Sequence, residues 1–66
     1  MEYTFEQINE TMYELKVGTF IFLLDSEETM HAQMISDFQN EANIERFIDL
    51  LNADPSGAYN LYNGVE

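Results

Sequence analysis

The chain has no cysteine among its 66 residues. Disulfides and thiolate metal sites are therefore excluded. A domain of this length buries only about 60% of the surface that its unfolded chain exposes, so its core is marginal. With disulfides excluded, close packing or oligomerisation remains as the source of stability. The lack of cysteine is also typical of a cytoplasmic protein.

Basic residues are nearly as scarce. Only Lys16 and Arg46 oppose thirteen Asp and Glu residues, which gives a formal net charge of −11. Direct binding to nucleic acid or to an anionic membrane needs basic patches, so neither is expected. The natural complement of this charge is a basic surface on another protein. Solubility is the competing explanation, because exposed acidic residues keep small proteins in solution.

Long apolar runs and catalytic motifs are missing as well. The longest apolar run, residues 20–24, is too short to cross a bilayer, and no basic segment precedes it as in a signal peptide. The single histidine, His31, has neither a second histidine nor a cysteine beside it for a catalytic or metal site. The acidic stretches 25–28 and 54–57 lack the ligand spacing of a calcium loop. We therefore expect a cytoplasmic, non-enzymatic protein without catalytic, cofactor-binding or metal-binding residues.

Residues 4–16 are predicted to form a first amphipathic helix. Thr4 and Gln7 have the spacing of a capping box, and Gly18 is a plausible helix stop. The apolar residues of this segment recur with helical spacing at Phe5, Ile8, Met12 and Leu15. On such a helix the first acidic row, Glu6, Glu10 and Glu14 (with Glu2 ahead of the cap), would lie on the opposite side.

The middle of the chain predicts a β-hairpin. Residues 19–24 are rich in β-branched and aromatic side chains, which favours a buried strand. Residues 29–36 fit two structures. As a helix they would be capped by Asp25 with Glu28 as its partner, with Met30, Met34 and Phe38 stacked at a spacing of four. The strand is preferred, because a lone strand cannot satisfy its backbone groups.

The second half predicts a helix and a tail. Asn40 is a helix cap, and Pro55 ends the helix near Ala53. The strongest helical pattern of the chain lies between them, at Ile44, Phe47, Ile48 and Leu51. Residues 54–66 form a turn and a tyrosine-containing tail that folds back on the core or adds an edge strand. The whole chain, residues 1–66, is thus predicted to be one small α+β domain of order α-β-β-α, a hairpin covered by two amphipathic helices; the alternative is a mostly α fold.

The acidic rows carry the functional prediction. A second acidic row, Asp37, Glu41, Glu45 and Asp49, accompanies the second helix. Carboxylates four residues apart on a helix follow each other every ~6 Å, so two rows side by side would approach the charge spacing of a nucleic acid. Like charges at this spacing destabilise a helix, which is easier to explain if the charge is used. The predicted partner-binding residues are Glu6, Glu10, Glu14, Asp37, Glu41, Glu45 and Asp49.

In size and charge the chain resembles the small acidic DNA-mimic inhibitors that phages and mobile elements use against CRISPR, restriction or other nucleic-acid enzymes. The resemblance implies a partner with a basic, nucleic-acid-binding surface, and the host cytoplasm as the location if the protein is phage-encoded. The alternative is a structural or regulatory module that docks on a partner, or forms a homodimer, through its hairpin edge or its tyrosine-rich tail.

Overall fold

The structure, a computed structural model, describes residues 2–64 and contains three strands followed by three helices within them. The strands are β1 (Tyr3–Gln7), β2 (Met12–Val17) and β3 (Phe20–Asp25), which form an antiparallel sheet of order β1-β2-β3. The helices are α1 (Thr29–Asp37), α2 (Glu41–Ala53) and α3 (Pro55–Asn63). The α+β class is confirmed, but the observed order replaces the predicted α-β-β-α. The end of the predicted tail, Val65 and Glu66, lies outside the described residues.

The predicted helix over residues 4–16 is wrong, because this segment forms the β1–β2 hairpin. Its inward positions alternate with a period of two, and Leu15 and Val17 are fully buried. The side chain of Asn9 accepts hydrogen bonds from the backbone N–H groups of Thr11 and Met12, both at 2.9 Å, and so closes the turn. The apolar residues fit either period locally. β2 forms a strand because it pairs with β3. The residue pattern of one segment alone does not show this pairing.

Gly18 forms a hairpin turn and does not end a helix. Val17 pairs with Phe20, so the loop between β2 and β3 has only the residues Gly18 and Thr19. Gly18 has a φ of 59°. A left-handed residue at the first position of a two-residue loop is what a type II′ turn requires, and glycine adopts it without strain. The strand predicted over residues 19–24 is confirmed as β3.

The predicted strand over residues 29–36 is also wrong, because these residues form α1. β3 already has β2 as its partner, so no further strand is needed to satisfy its inner edge. The spacing of the helical alternative holds in part, since Met34 and Phe38 are buried but Met30 is 44% exposed. The predicted capping of the helix by Asp25 is not observed. Glu28 occupies the N-cap position without a side-chain hydrogen bond, and the Asp25 carboxylate instead accepts from the Glu27 N–H at 2.9 Å.

The second predicted helix is confirmed as α2. The side chain of Asn40 accepts from the Ala42 N–H at 3.0 Å, and the helix ends at Ala53. Its four apolar positions are buried. The turn at residues 54–57 proves to be the start of α3, where Asp54 accepts from the Gly57 N–H at 3.0 Å and Pro55 occupies the first helical turn. The described part of the tail therefore folds back on the core, as one of the two predictions had it.

The three helices pack on one face of the sheet. Phe22 is fully buried and lies at the centre, with the ring centroids of Phe47, Tyr59 and Tyr62 5.0–5.1 Å away. No polar or charged side chain of residues 2–64 is buried. On the outer face of the sheet, Ile21 and Leu23 are 56% and 43% exposed. No helix in the described chain has the length and apolar character to span a membrane.

Candidate acidic partner-binding surface

Two members of the first acidic row face each other across the β1–β2 hairpin. Glu6 lies directly opposite Glu14 in the register, on the outer face of the sheet. The Lys16 ammonium is 3.4 Å from a Glu14 oxygen, and the Glu14 side chain is only 17% exposed. Glu6 is exposed. Like charges directly opposite each other destabilise a sheet, so this pair is a local destabilisation that Lys16 offsets in part.

Glu10, the third member of that row, lies apart from the other two. It sits in the β1–β2 turn, which is joined to the start of the β3–α1 turn by a 2.7 Å hydrogen bond from the Ser26 N–H to the Thr11 carbonyl. Glu10 thus lies at the same end of the sheet as Asp25, Glu27 and Glu28, the last residue of β3 and two residues of the turn that follows it. No local spacing predicts this neighbourhood, because it follows from the pairing of Met12 with Asp25.

The three exposed carboxylates of α2, Glu41, Glu45 and Asp49, form the α2 acidic row. This row lies beside β1, where Tyr3 and Asp49 line one groove and Tyr3 and Glu41 line the next. Partial burial raises the pKa of the Tyr3 hydroxyl, and the negative charges of Glu41 and Glu45 raise this pKa further. The electrostatic field of the row therefore reaches the side chains of β1.

Asp37, the remaining predicted residue, lies away from the α2 acidic row. Its carboxylate accepts from the Gln33 side chain at 3.1 Å, and its carbonyl accepts from the Asn43 side chain at 2.9 Å. It lines an apolar groove with Arg46 on the other flank of α2. The structure therefore does not bring the two predicted rows onto one helical face. Glu6 and Glu14 project from the outer face of the sheet, whereas the α2 acidic row belongs to the helical layer. The backbone of β1 separates Glu6 from the α2 acidic row.

Most of the carboxylates have no cationic partner. Across residues 2–64 the ion pairs are Lys16 with Glu14 and, at 3.7 Å, His31 with Glu28 if the imidazole is protonated. In the same part of the chain no three acidic or histidine side chains converge on a point that could hold a metal ion. The negative charge is thus spread over the surface, an arrangement that suits an extended cationic surface better than a single ion.

His31 has a structural position on α1. Its ring stacks on Tyr62 with a centroid distance of 4.9 Å, and Nε2 lies 2.9 Å from the Tyr62 carbonyl. Nδ1 accepts from the Asp25 N–H at 3.3 Å, so the neutral ring donates through Nε2. Both ring nitrogens are therefore used to hold α1, α3 and the end of β3 together. The expectation of a strand position was wrong for this residue.

No family model matches the chain, and neither the curated proteins nor the solved structures contain a significant match to it. The function is therefore inferred from the geometry and charge of the molecule alone.

Proposed function

We propose that this protein is a non-enzymatic acidic binding protein that occupies a basic, nucleic-acid-binding surface of another protein. In this it would act like the DNA-mimic inhibitors of the anti-CRISPR or anti-restriction type. The observation that supports the proposal is the uncompensated charge: a net charge of −11 on a 66-residue chain. Within residues 2–64 the carboxylates lie on the surface, and Lys16 with Glu14 is the one ion pair that does not depend on protonation of His31.

The stability of the fold argues for a use of this charge. Glu6 and Glu14 repel each other across a hairpin, and Glu41, Glu45 and Asp49 follow each other at a spacing of four on α2. Each such like-charge pair costs a few tenths of a kcal/mol or more. A domain of this size has only about 3–5 kcal/mol of stability from its core. Solubility alone requires less charge than this.

The alternative, a module that docks through its hairpin edge or tyrosine tail, has weaker support. Tyr59 and Tyr62 pack on Phe22 and do not project as anchors. The hairpin predicted in the middle of the chain contains only one observed strand, β3, and the outer edge of β3 is partly closed, because the Tyr62 hydroxyl donates to the Leu23 carbonyl at 2.7 Å. The acidic surface remains the better candidate for the contact with a partner.

Affinity capture from host lysate tests the proposal. At about 50 mM salt the protein should retain a basic nucleic-acid-binding protein and compete with nucleic acid for binding to it. At about 500 mM salt, where the Debye length falls to ~4 Å, the complex should dissociate. The α2 triple variant E41Q, E45Q and D49N should weaken binding more than a control with the same loss of charge at exposed positions outside the predicted partner-binding residues, E2Q, E27Q and E28Q. If no basic or nucleic-acid-binding protein is retained at low salt, the proposal is wrong.

A further inference from the structure

One edge of the sheet is open. The Ile8 N–H donates to the Met12 carbonyl at 2.9 Å, and Glu6 and Thr4 continue this ladder opposite Glu14 and Lys16. Because bonding direction alternates along an antiparallel strand, the intervening residues direct their backbone groups away from β2. These are Tyr3, Phe5 and Gln7. No strand of residues 2–64 pairs with β1 on that side.

The opposite edge of the same sheet differs. On β3, the Leu23 carbonyl accepts from the Tyr62 hydroxyl at 2.7 Å, and the Asp25 N–H donates to His31 at 3.3 Å. Side chains of α1 and α3 therefore use backbone groups that another strand would need. An added strand is better accommodated at β1.

Two neighbouring grooves lie beside β1 on its helical side, and Tyr3 lines both. The first is also lined by Glu45, Ile48 and Asp49 and has a volume of about 300 Å³. The second is also lined by Phe5, Glu41 and Ile44 and has a volume of about 250 Å³. The α2 acidic row therefore runs along β1 in the opposite chain direction. On the other side of the strand, the outer face carries Glu6 beside the same edge.

We propose that the open edge of β1 binds an extended segment of the partner, rich in Lys and Arg, as a fourth strand of the sheet. The backbone of the segment would pair with the outward groups of Tyr3, Phe5 and Gln7, the mode of recognition known as β-augmentation. The proposal rests on the proposed function in one respect, since it takes the partner to be basic.

The spacing of charges fits this occupant. Every second residue of an extended strand advances about 6.6 Å and points to the same face, while successive carboxylates of the α2 acidic row are about 6 Å apart along the helix. Lys or Arg at alternate positions would thus meet Glu41, Glu45 and Asp49 in turn, and the intervening positions would lie on the side of Glu6. A second copy of the chain is a poor occupant, because each copy has a net charge of −11.

The probe for this test is an eight-residue peptide of alternating Lys and Thr. Its control has the same sequence with N-methyl groups on the two central residues, which keeps the charge and blocks pairing along both edges of the peptide. At about 50 mM salt, hydrogen exchange measured by NMR should slow at least tenfold at Phe5 and Gln7 with the probe, and not at Ile21 on the other edge. The methylated peptide should bind at least fivefold more weakly.

Gln7 provides the matching test on the protein. It is exposed and its N–H points outward, so Q7P removes one edge donor without breaking the β1–β2 ladder, and proline is tolerated at such edge positions. Q7A removes the side chain and keeps the donor. Loss of one hydrogen bond should weaken peptide binding about fivefold in Q7P relative to Q7A. Equal thermal unfolding of the two variants confirms that the fold is intact.

The outcomes separate this proposal from the proposed function. Equal binding of both peptides, or no protection at β1, overturns the added strand and leaves a salt-sensitive acidic surface in place. If exchange protection at β1 rises with protein concentration in the absence of peptide, the edge binds a second copy of the chain. That result also overturns the added-strand proposal. If the probe protects β1 while no nucleic-acid-binding protein is retained from lysate, the strand proposal stands and the proposed function fails.

Discussion

Replacing Glu6 by Lys should stabilise the protein, although Glu6 is an exposed residue on an edge strand. Glu6 and Glu14 are directly opposite each other, and a like-charge pair at such positions is destabilising by about 0.2–1 kcal/mol, while an opposite-charge pair is stabilising by a similar amount. E6K exchanges one for the other. Lys16 lies diagonally from position 6 and would repel the new ammonium, so we expect a gain of about 0.5–1.5 kcal/mol.

In a domain of this size 1 kcal/mol corresponds to roughly 4–8 °C in Tm, so E6K should raise Tm by several degrees. E10K is the matched control. Each substitution changes the net charge by two units, from −11 to −9, and Glu10 lies in the β1–β2 turn without a cross-strand partner. Because E10K also relieves repulsion from Asp25 at that end of the sheet, the excess stabilisation of E6K over E10K is a lower bound on the energy of the Glu6–Glu14 pair. The same E6K substitution in an E14Q background removes the pair itself and should stabilise that background less than it stabilises the native chain.

Thermal and urea unfolding by circular dichroism, at about 20 mM and 500 mM salt, provide the measurement. The excess of E6K over E10K should be largest at low salt and shrink at high salt, because surface charges are screened. If E6K stabilises the E14Q background as much as the native chain at low salt, repulsion between Glu6 and Glu14 does not contribute to stability and the prediction is wrong.

Three further predictions concern the core, a pH effect and a cap. F22A should unfold the domain, because Phe22 is fully buried against three aromatic rings and its loss costs about 3–5 kcal/mol, comparable to the whole free energy of unfolding. F22L should keep a cooperative denaturant transition with a lower midpoint. The pKa of Tyr3 is raised above 10.0 in the folded state, so the contribution of this residue to stability is complete below pH 10 and is lost as the pH rises through the folded pKa. The urea midpoint should therefore fall more steeply between pH 8 and 11 for the native chain than for Y3F. D54A removes the acceptor of the Gly57 N–H and should lower the free energy of unfolding by about 1 kcal/mol in urea titrations, whereas an unchanged midpoint would show that the cap is not needed.

Local patterns predicted part of this fold well. α2 follows from the cap Asn40, from Pro55 beyond its end and from four apolar residues at helical spacing, all within one segment. β3 follows from its run of β-branched and aromatic residues. These elements need no distant partner to be recognised. The hairpin of β1 and β2 was missed because its apolar spacing also fits a helix, although Asn9 and the repulsion within a helical glutamate row both counted against one.

Composition alone shows that the chain is strongly acidic and cannot form disulfides. The position of each charge depends on the fold. Pairing of residues distant in sequence sets Glu6 against Glu14 and brings Glu10 near Asp25, and packing of α2 beside β1 places a carboxylate row along an open strand edge. The backbone N–H and C=O groups of a strand are satisfied only by neighbouring strands. The side-chain environment of a strand therefore depends on residues that no local spacing identifies.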